Sequence, residues 1–81
     1  MAADALFLHS ILQAVTAVPG DIAIERIEDA RGTLLRIHVS KSDMPRIIGK
    51  QGQTIAALRL LMKLYAKDGP KISLLLDEPQ H

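Results

Sequence analysis

The segment of this chain best suited to holding an anion is Gly49-Lys50-Gln51-Gly52. Glycine tolerates positive φ and has no Cβ, so the chain can turn sharply at each end of the segment and a ligand can approach its backbone. A helix is predicted to begin just past Gly52, and the first turn of a helix presents unpaired N–H groups and the positive end of the helix dipole. This arrangement favours a phosphate, and Lys50 adds a mobile positive charge at the tip of the turn.

The residues that flank this turn are polar or aliphatic. Arg46 and Thr54 offer a guanidinium and a hydroxyl to a bound phosphate, although Arg46 also suits solvent and Thr54 also suits a bond to the backbone of the first helical turn. The aliphatic pair Ile47-Ile48 leads into the turn, and at least one of the two is expected to be buried as an anchor. On its four residues alone, the segment is more typical of a helix corner that binds no ligand. Whether it binds an anion must therefore be judged from the residues and elements around it.

The charge of the chain is unevenly distributed. Residues 1–40 carry three basic and five acidic side chains, whereas residues 41–71 carry seven basic and two acidic ones. A basic second half suits a polyanionic partner, but a solvated face carries such charges as well. Arg59, Lys63 and Lys67 share one face of the longer predicted helix, and we expect them to form a plain solvent face, with steering of a polyanion as the alternative.

Composition excludes several other functions. The chain has no cysteine, which excludes disulfides and thiolate metal sites, and its histidines are scattered, so no metal is predicted. It contains neither a GxxxxGKS/T phosphate loop nor a GxGxxG fingerprint, and no Ser-His-acid set, so we expect no enzyme and no cofactor. Apolar runs stop well short of the roughly 20 residues that span a membrane. With no basic residue at the N-terminus to suggest a signal peptide, the expectation is a soluble, cytoplasmic protein without membrane contact.

The first element that must position the turn is an amphipathic helix. With 81 residues the chain predicts a single domain, residues 1–81, with its core at about residues 5–77 and a frayed tail at residues 78–81. Apolar residues recur at steps of three and four from Asp4, the predicted N-cap, to Pro19-Gly20. The predicted core stripe consists of Phe7, Leu8, Ile11, Leu12, Val15 and Val18. Its width favours burial, with contact to another subunit as the alternative.

Two strands then form a predicted hairpin. The alternation that starts at Ile22 breaks at residues 26–27, which suggests a bulge. The polar segment 28–32 predicts a loop somewhat longer than two residues. In the second strand, the apolar residues Leu35, Ile37 and Val39 alternate with Arg36 and His38. This alternation predicts a strand with one buried face, and Arg36 and His38 are expected on its exposed face.

Two helices and a strand complete the prediction. A short helical turn, capped by Ser42 or Asp43, ends at Gly49, and a longer helix begins near Gln53. The core positions of that helix are predicted to be Ile55, Leu58, Leu61, Met62 and Tyr65. Residues 71–76 form the last strand. The order α-β-β-α-α-β predicts an α+β domain, with a three-stranded mixed sheet packed on helices.

The pair Ile47-Ile48 followed by Gly49-x-x-Gly52 between two helices resembles the signature of the KH domain, and the order of elements is similar to its type II form. The run from Gly49 to Arg59 is similar to the small bacterial single-KH proteins of the KhpA family, a likeness that covers about residues 5–77. The resemblance implies a non-catalytic RNA-binding protein and RNA chaperone, whose loop clamps about four nucleotides of single-stranded RNA. It also implies a homodimer or a complex with a KhpB (Jag)-type protein. The alternative function is a protein-interaction subunit that dimerises or docks on a larger RNA-binding partner.

The resemblance also assigns residues. Gly49 and Gly52 correspond to the two glycines, Lys50 to a frequent basic position, and Gln51 to a variable one. The aliphatic positions that frame the RNA groove correspond to Ile47, Ile48 and Ile55. On the exposed phase of the second strand, Arg36 and His38 are assigned to the other side of the groove, together with Arg31 in the loop before it. No motif fixes these last three positions.

Overall fold

The computed structural model describes residues 1–77. Its helices and strands are α1 Ala3–Val15, β1 Ala23–Asp29, β2 Gly32–His38, α2 Met44–Ile48, α3 Gln53–Tyr65 and β3 Ile72–Leu76. Short 3-10 turns lie at Pro19–Asp21, Lys41–Asp43 and Lys50–Gly52. The order of elements confirms the predicted α+β class, whereas the frayed tail predicted at residues 78–81 lies outside the described residues. Along residues 1–77, no helix has the length and hydropathy to cross a bilayer.

The sheet is mixed and has β2 at its centre. β1 pairs antiparallel with β2, and β3 pairs parallel with it on the other side. The helices cover one face of this sheet, where Leu35 and Ile37 of β2 are fully buried in one cluster with Leu12 and Met62. The side chains that alternate with Leu35 and Ile37 point to the uncovered face and are partly exposed. The core therefore lies between the helices and one face of the sheet.

The hairpin between β1 and β2 is more regular than predicted. Pairing runs without interruption from Ala23 opposite His38 to Asp29 opposite Gly32, so there is no bulge at residues 26–27 and the loop has two residues. The break in the apolar pattern has a different cause. Arg26 occupies the helix-covered phase of β1, where its Nε donates to the Asp4 carboxylate at 3.0 Å. An ion pair thus takes the place of an apolar contact at this edge of the core.

The buried side of α1 is narrower than predicted. Asp4 lies in the first turn rather than at the N-cap, which is Ala2. The helix ends at Val15, four residues before Pro19. Of the predicted core stripe, Leu8 and Leu12 are fully buried, whereas three members are more than a third exposed: Phe7, Val15 and Val18.

The core stripe of α3 is narrower as well. Ile55, Leu58 and Met62 are buried as predicted, but Leu61 is 40% exposed and Tyr65 is 46% exposed. The Tyr65 ring stacks on the Phe7 ring with 5.0 Å between centroids. The two aromatic residues therefore form a half-exposed pair between α1 and α3 instead of filling the core.

A buried carboxylate ties the end of α1 to the beginning of α2. Asp43 precedes α2 but does not cap it through its side chain. Its carboxylate accepts hydrogen bonds from the N–H groups of Ala17 and Val18, both at 2.9 Å, and from the Ser40 hydroxyl at 3.1 Å. The N–H of Ala17 contributes most to lowering the pKa of the Asp43 carboxyl below its ordinary value. These bonds fix the segment that leads into the helix before the glycine turn.

Candidate nucleic-acid interface

The glycine turn lies between α2 and α3, as predicted. Gly49 ends α2, donating its N–H to the Pro45 carbonyl at 2.8 Å. It has φ 75° and ψ 173°, a combination that is essentially restricted to glycine. Gly52 begins α3 with φ 75° and ψ 15°, which is left-handed backbone. The two glycines therefore let the chain change direction within four residues.

Packing adds a second requirement at Gly49. A Cβ there would overlap the Thr54 side chain and would lie 2.7 Å from the Thr54 backbone nitrogen. At Gly52 no atom lies within 4 Å of a Cβ, so only the backbone conformation calls for glycine. Thr54, a predicted site residue, is thus half-buried against Gly49. Its hydroxyl lies directly under the turn.

Sequence reasoning missed the conformation of Gln51. It has φ 56° and ψ 27°, and among residues 1–77 it is the one residue other than glycine with positive φ. Left-handed backbone at Gln51 followed by the same at Gly52 exposes the side chains of Lys50 and Gln51 at the tip. Asn and Asp adopt this conformation more readily than glutamine, so the residue type gave no signal.

The hydrogen bonds of the turn determine which donors a ligand can reach. The N–H groups of Gly52 and Gln53 are used internally, donating to the carbonyls of Gly49 and Lys50. Within the described part of the chain, the N–H groups of Lys50 and Gln51 have no backbone acceptor. The donors available at the tip therefore include these two N–H groups, the Gln51 side-chain amide and the Lys50 ammonium.

The charge at the turn is uncompensated. Within residues 1–77, Lys50 forms no ion pair. Arg46, in the last turn of α2, has a half-exposed side chain whose Nη1 lies 3.5 Å from Asp43 Oδ1. This contact is long, and more than half of the Arg46 side chain is exposed.

Aliphatic side chains anchor the turn from both helices. Ile47 of α2 is fully buried, which confirms that at least one member of the Ile47-Ile48 pair belongs to the core. Ile48 is partly buried against the same cluster, and Ile55 of α3 is 8% exposed. The predicted positions 46–55 therefore lie around one corner that is anchored in the core.

The structure does not bring Arg36 and His38 to this corner. Both alternate with the buried residues of β2 and so point to the sheet face away from the helices. Arg36 Nη1 lies 3.3 Å from Glu25 Oε1, and His38 Nδ1 lies 3.0 Å from Asp77 Oδ2. Arg31 lies in the hairpin turn, paired with Asp29 at 3.2 Å. Alternation along β2 correctly predicted that Arg36 and His38 lie outside the core, but both lie on the sheet face that the helices leave uncovered, away from the turn.

A groove that the sequence did not reveal runs between α3 and β3. It has a volume of about 870 Å³, and its charged lining residues are Arg59, Lys63, Lys67 and Lys71. For the first three, the sequence predicts a plain solvent face, with steering of a polyanion as the alternative. The sequence does not indicate this groove, because the groove forms only when β3 pairs parallel with β2 at the edge of the sheet.

The sequence matches the family model described as KhpA/KhpB, KH domain, over residues 5–76. A curated relative, the RNA-binding protein KhpA of Chlamydia trachomatis serovar D, is 32% identical over 69 residues, which are 84% of this chain and 88% of the relative. The RNA-binding protein KhpA of Leifsonia xyli is 31% identical over 65 residues, or 80% and 84% of the two chains. That of Mycobacterium tuberculosis is 31% identical over 55 residues, or 68% and 69%.

No solved structure matches the chain. The family model spans both helices that flank the glycine turn and all three strands of the sheet. The order of elements, the aliphatic pair and the two glycines at positive φ agree with the resemblance inferred from the sequence. The chain belongs to the KhpA/KhpB family of KH-domain proteins.

Proposed function

We propose that the protein binds single-stranded RNA in the cytoplasm through the Gly49–Gly52 turn, without catalysing a reaction, and acts as an RNA chaperone. The observation that carries the proposal is the geometry of the turn. Two glycines at φ 75° leave the backbone open to a sugar–phosphate chain, and Lys50, which forms no ion pair within residues 1–77, lies between them. The names of the KhpA relatives, which are RNA-binding proteins, support the same function.

The grip on RNA follows from the available donors. One phosphate accepts from the N–H groups of Lys50 and Gln51, and the Lys50 ammonium adds a charge-assisted bond. Arg46 reaches the next phosphate from the last turn of α2, and the Thr54 hydroxyl lies below the chain. Ile48 offers an apolar surface to a base, being only partly buried. Contacts to the backbone dominate, so we expect little sequence preference.

The test is a double substitution at the tip, Lys50→Asp with Gln51→Asp. Both side chains are exposed, so the fold should survive, while two carboxylates repel phosphate. We expect the binding of a short single-stranded RNA, followed by fluorescence anisotropy, to be lost. The matched control Ala3→Glu/Ser10→Glu/Gln13→Glu changes the net charge by the same amount at exposed positions of α1 and should bind like the unmodified protein. Unchanged affinity in the tip variant would remove the turn from the mechanism.

The chaperone activity has its own measurement. A protein that holds the backbone of unpaired strands, with little preference for sequence, can keep them accessible to a complementary strand. We expect the protein to accelerate annealing of two complementary RNAs that are each weakly folded. The tip variant Lys50→Asp/Gln51→Asp should lose this acceleration, and equal annealing rates with and without the protein would contradict the chaperone role.

A second candidate function, protein interaction, is favoured by an apolar helix patch made of Phe7, Leu61, Leu64 and Tyr65. Each of these side chains is at least 38% exposed. Such a patch fits a second copy of this chain or a KhpB-type partner. Light scattering at micromolar concentration should show a dimer that Leu61→Glu disrupts. A monomer that also fails to bind a KhpB-type protein would exclude this function, and neither result affects RNA binding at the turn.

A further inference from the structure

The Thr54 side chain is fixed against the first glycine of the turn. Its hydroxyl and its backbone nitrogen occupy the space that a Cβ of Gly49 would take. Thr54 is the second residue of α3, and its β-branched side chain has few rotamers in a helix. Its hydroxyl is therefore held beside Gly49 instead of moving freely over the surface of the turn.

The Thr54 hydroxyl has no hydrogen-bond partner among residues 1–77. The hydroxyls of Ser10 and Thr16 differ, since each donates to a carbonyl of its own helix at 2.9 Å. Solvent also reaches the Thr54 hydroxyl, because along the described part of the chain the one buried side-chain atom without a partner is Arg36 Nε. The hydroxyl is therefore a free donor and acceptor directly beside the turn.

This hydroxyl lies close to a donor that the proposed function assigns to a phosphate. The free N–H of Lys50 belongs to the peptide unit that begins at Gly49, so covalent geometry places its nitrogen within roughly 6 Å of the Thr54 hydroxyl. In a nucleic acid strand every phosphate joins two sugars. A phosphate bound at the Lys50 N–H therefore brings an adjoining sugar towards Gly49 and Thr54.

The sugar is the part of the backbone in which RNA and DNA differ. A ribose carries a 2′-hydroxyl that both donates and accepts, and a deoxyribose has none. The Thr54 hydroxyl also donates and accepts, so the two hydroxyls can pair in either direction. A phosphate only accepts, and the two N–H groups at the tip and the Lys50 ammonium already supply donors to it.

We propose that Thr54 distinguishes RNA from DNA, because its hydroxyl bonds to the 2′-hydroxyl of the ribose next to the bound phosphate. The inference rests on the proposed binding of RNA at the turn and adds the group that recognises the sugar. The N–H groups at the tip and the Lys50 ammonium contact phosphate, which RNA and DNA share, so they bind both alike. The preference for RNA then depends on a single uncharged side chain.

The experiment compares a short single-stranded sequence as RNA, as DNA, and as RNA in which fluorine replaces every 2′-hydroxyl. Fluorine keeps the sugar conformation of ribose but cannot donate a hydrogen bond. We expect the unmodified protein to bind RNA about fivefold tighter than either of the other forms, the gain that one net hydrogen bond gives. Thr54→Val, which replaces the hydroxyl by a methyl group, should bind all three forms equally. Thr54→Ser should restore the preference for RNA.

The measured quantity is the ratio of two affinities within one variant, which any unfolded fraction of that variant leaves unchanged. Thr16→Val makes the same replacement at a hydroxyl that bonds to the Leu12 carbonyl, and it should keep the preference for RNA. Equal affinities of the unmodified protein for RNA and for either other form would overturn the role of Thr54. An unchanged preference in Thr54→Val would overturn it as well.

A loss of affinity in Thr54→Val that is equal for RNA and DNA would also overturn the role of Thr54, because the hydroxyl would then contact a phosphate. In each of these cases RNA still binds at the turn. Failure of all three oligonucleotides to bind the unmodified protein would instead overturn the proposed function, and the role of Thr54 with it.

Discussion

The backbone nitrogen of Thr54 lies 2.7 Å from the point where a Cβ of Gly49 would be. The first turn of α3 therefore packs directly against Gly49, the residue that follows α2, without room for a side chain between them. This contact explains why the two helices meet at a fixed corner. It also makes the two glycines of the turn unequal, although both have φ 75°.

The first prediction concerns this inequality. Gly49→Ala should lower the free energy of unfolding by about 3 kcal/mol, because strained backbone and a steric overlap combine. Gly52→Ala should cost only about 1 kcal/mol, the ordinary penalty of left-handed backbone at alanine. Urea denaturation of both variants measures the difference. Equal losses would mean that the Thr54 contact is relieved at no cost.

A second prediction concerns acid stability. The pKa of Asp43 is lowered in the folded protein from its ordinary value of 3.8. The stability that its ionised form contributes is therefore fully present above that value and is lost as the pH falls through the lower folded pKa. The urea midpoint should fall between about pH 6 and about pH 2 by more in the unmodified protein than in Asp43→Asn. At neutral pH, Asp43→Asn should have the lower midpoint, because an amide cannot accept from both backbone N–H groups without placing its own donor against one. Parallel acid losses in the two proteins would contradict this role.

The third prediction concerns the salt dependence of RNA binding. Each phosphate neutralised on a single strand contributes about −0.7 to the log–log slope of affinity against salt. Lys50→Gln should therefore make the slope for a short RNA shallower by about 0.7. Arg31→Gln, which removes an exposed cation from the hairpin turn, should leave the slope unchanged. An identical effect of the two variants would show that the protein attracts RNA only through its net charge.

The fourth prediction tests whether Arg36 and His38 contact RNA, as the sequence analysis expects, or lie away from it, as their position in the structure indicates. Arg36 and His38 point to the uncovered face of the sheet, so His38→Ala and Arg36→Gln should change RNA affinity by less than about twofold at physiological salt, where screening acts over about 8 Å. Anisotropy titrations with a short single-stranded RNA check this. A loss comparable to that of Lys50→Gln would mean that RNA also crosses the open sheet face.

Local signals in the sequence were sufficient for the glycine corner. Gly49, Gly52 and the aliphatic pair predict where α2 ends and where α3 begins. Each of these signals acts within a few residues of the chain. The exposed positions of Phe7 and Tyr65 could not be predicted in this way. Helical periodicity shows which side chains lie on the same stripe of a helix. How much of that stripe is buried depends on how many neighbouring helices and strands cover it, and a three-stranded sheet has room for few helices.

The same limit applies to charged positions. Arg26 interrupts the apolar pattern of β1 because Asp4 of α1 stands opposite it, a partner more than twenty residues away in sequence. The groove lined by Lys63 and Lys71 likewise exists only once β3 lies parallel at the edge of the sheet. Pairings between distant segments create both features, so no local pattern indicates them.

Only a narrow strip of helix α3 is buried, and it consists of Ile55, Leu58 and Met62. Its cationic flank faces β3, and its apolar flank faces α1. Substitutions on either flank leave that strip unchanged, so the two flanks can be tested for function one at a time. The two flanks can likewise change independently in evolution, since the buried residues of α3 lie on neither of them.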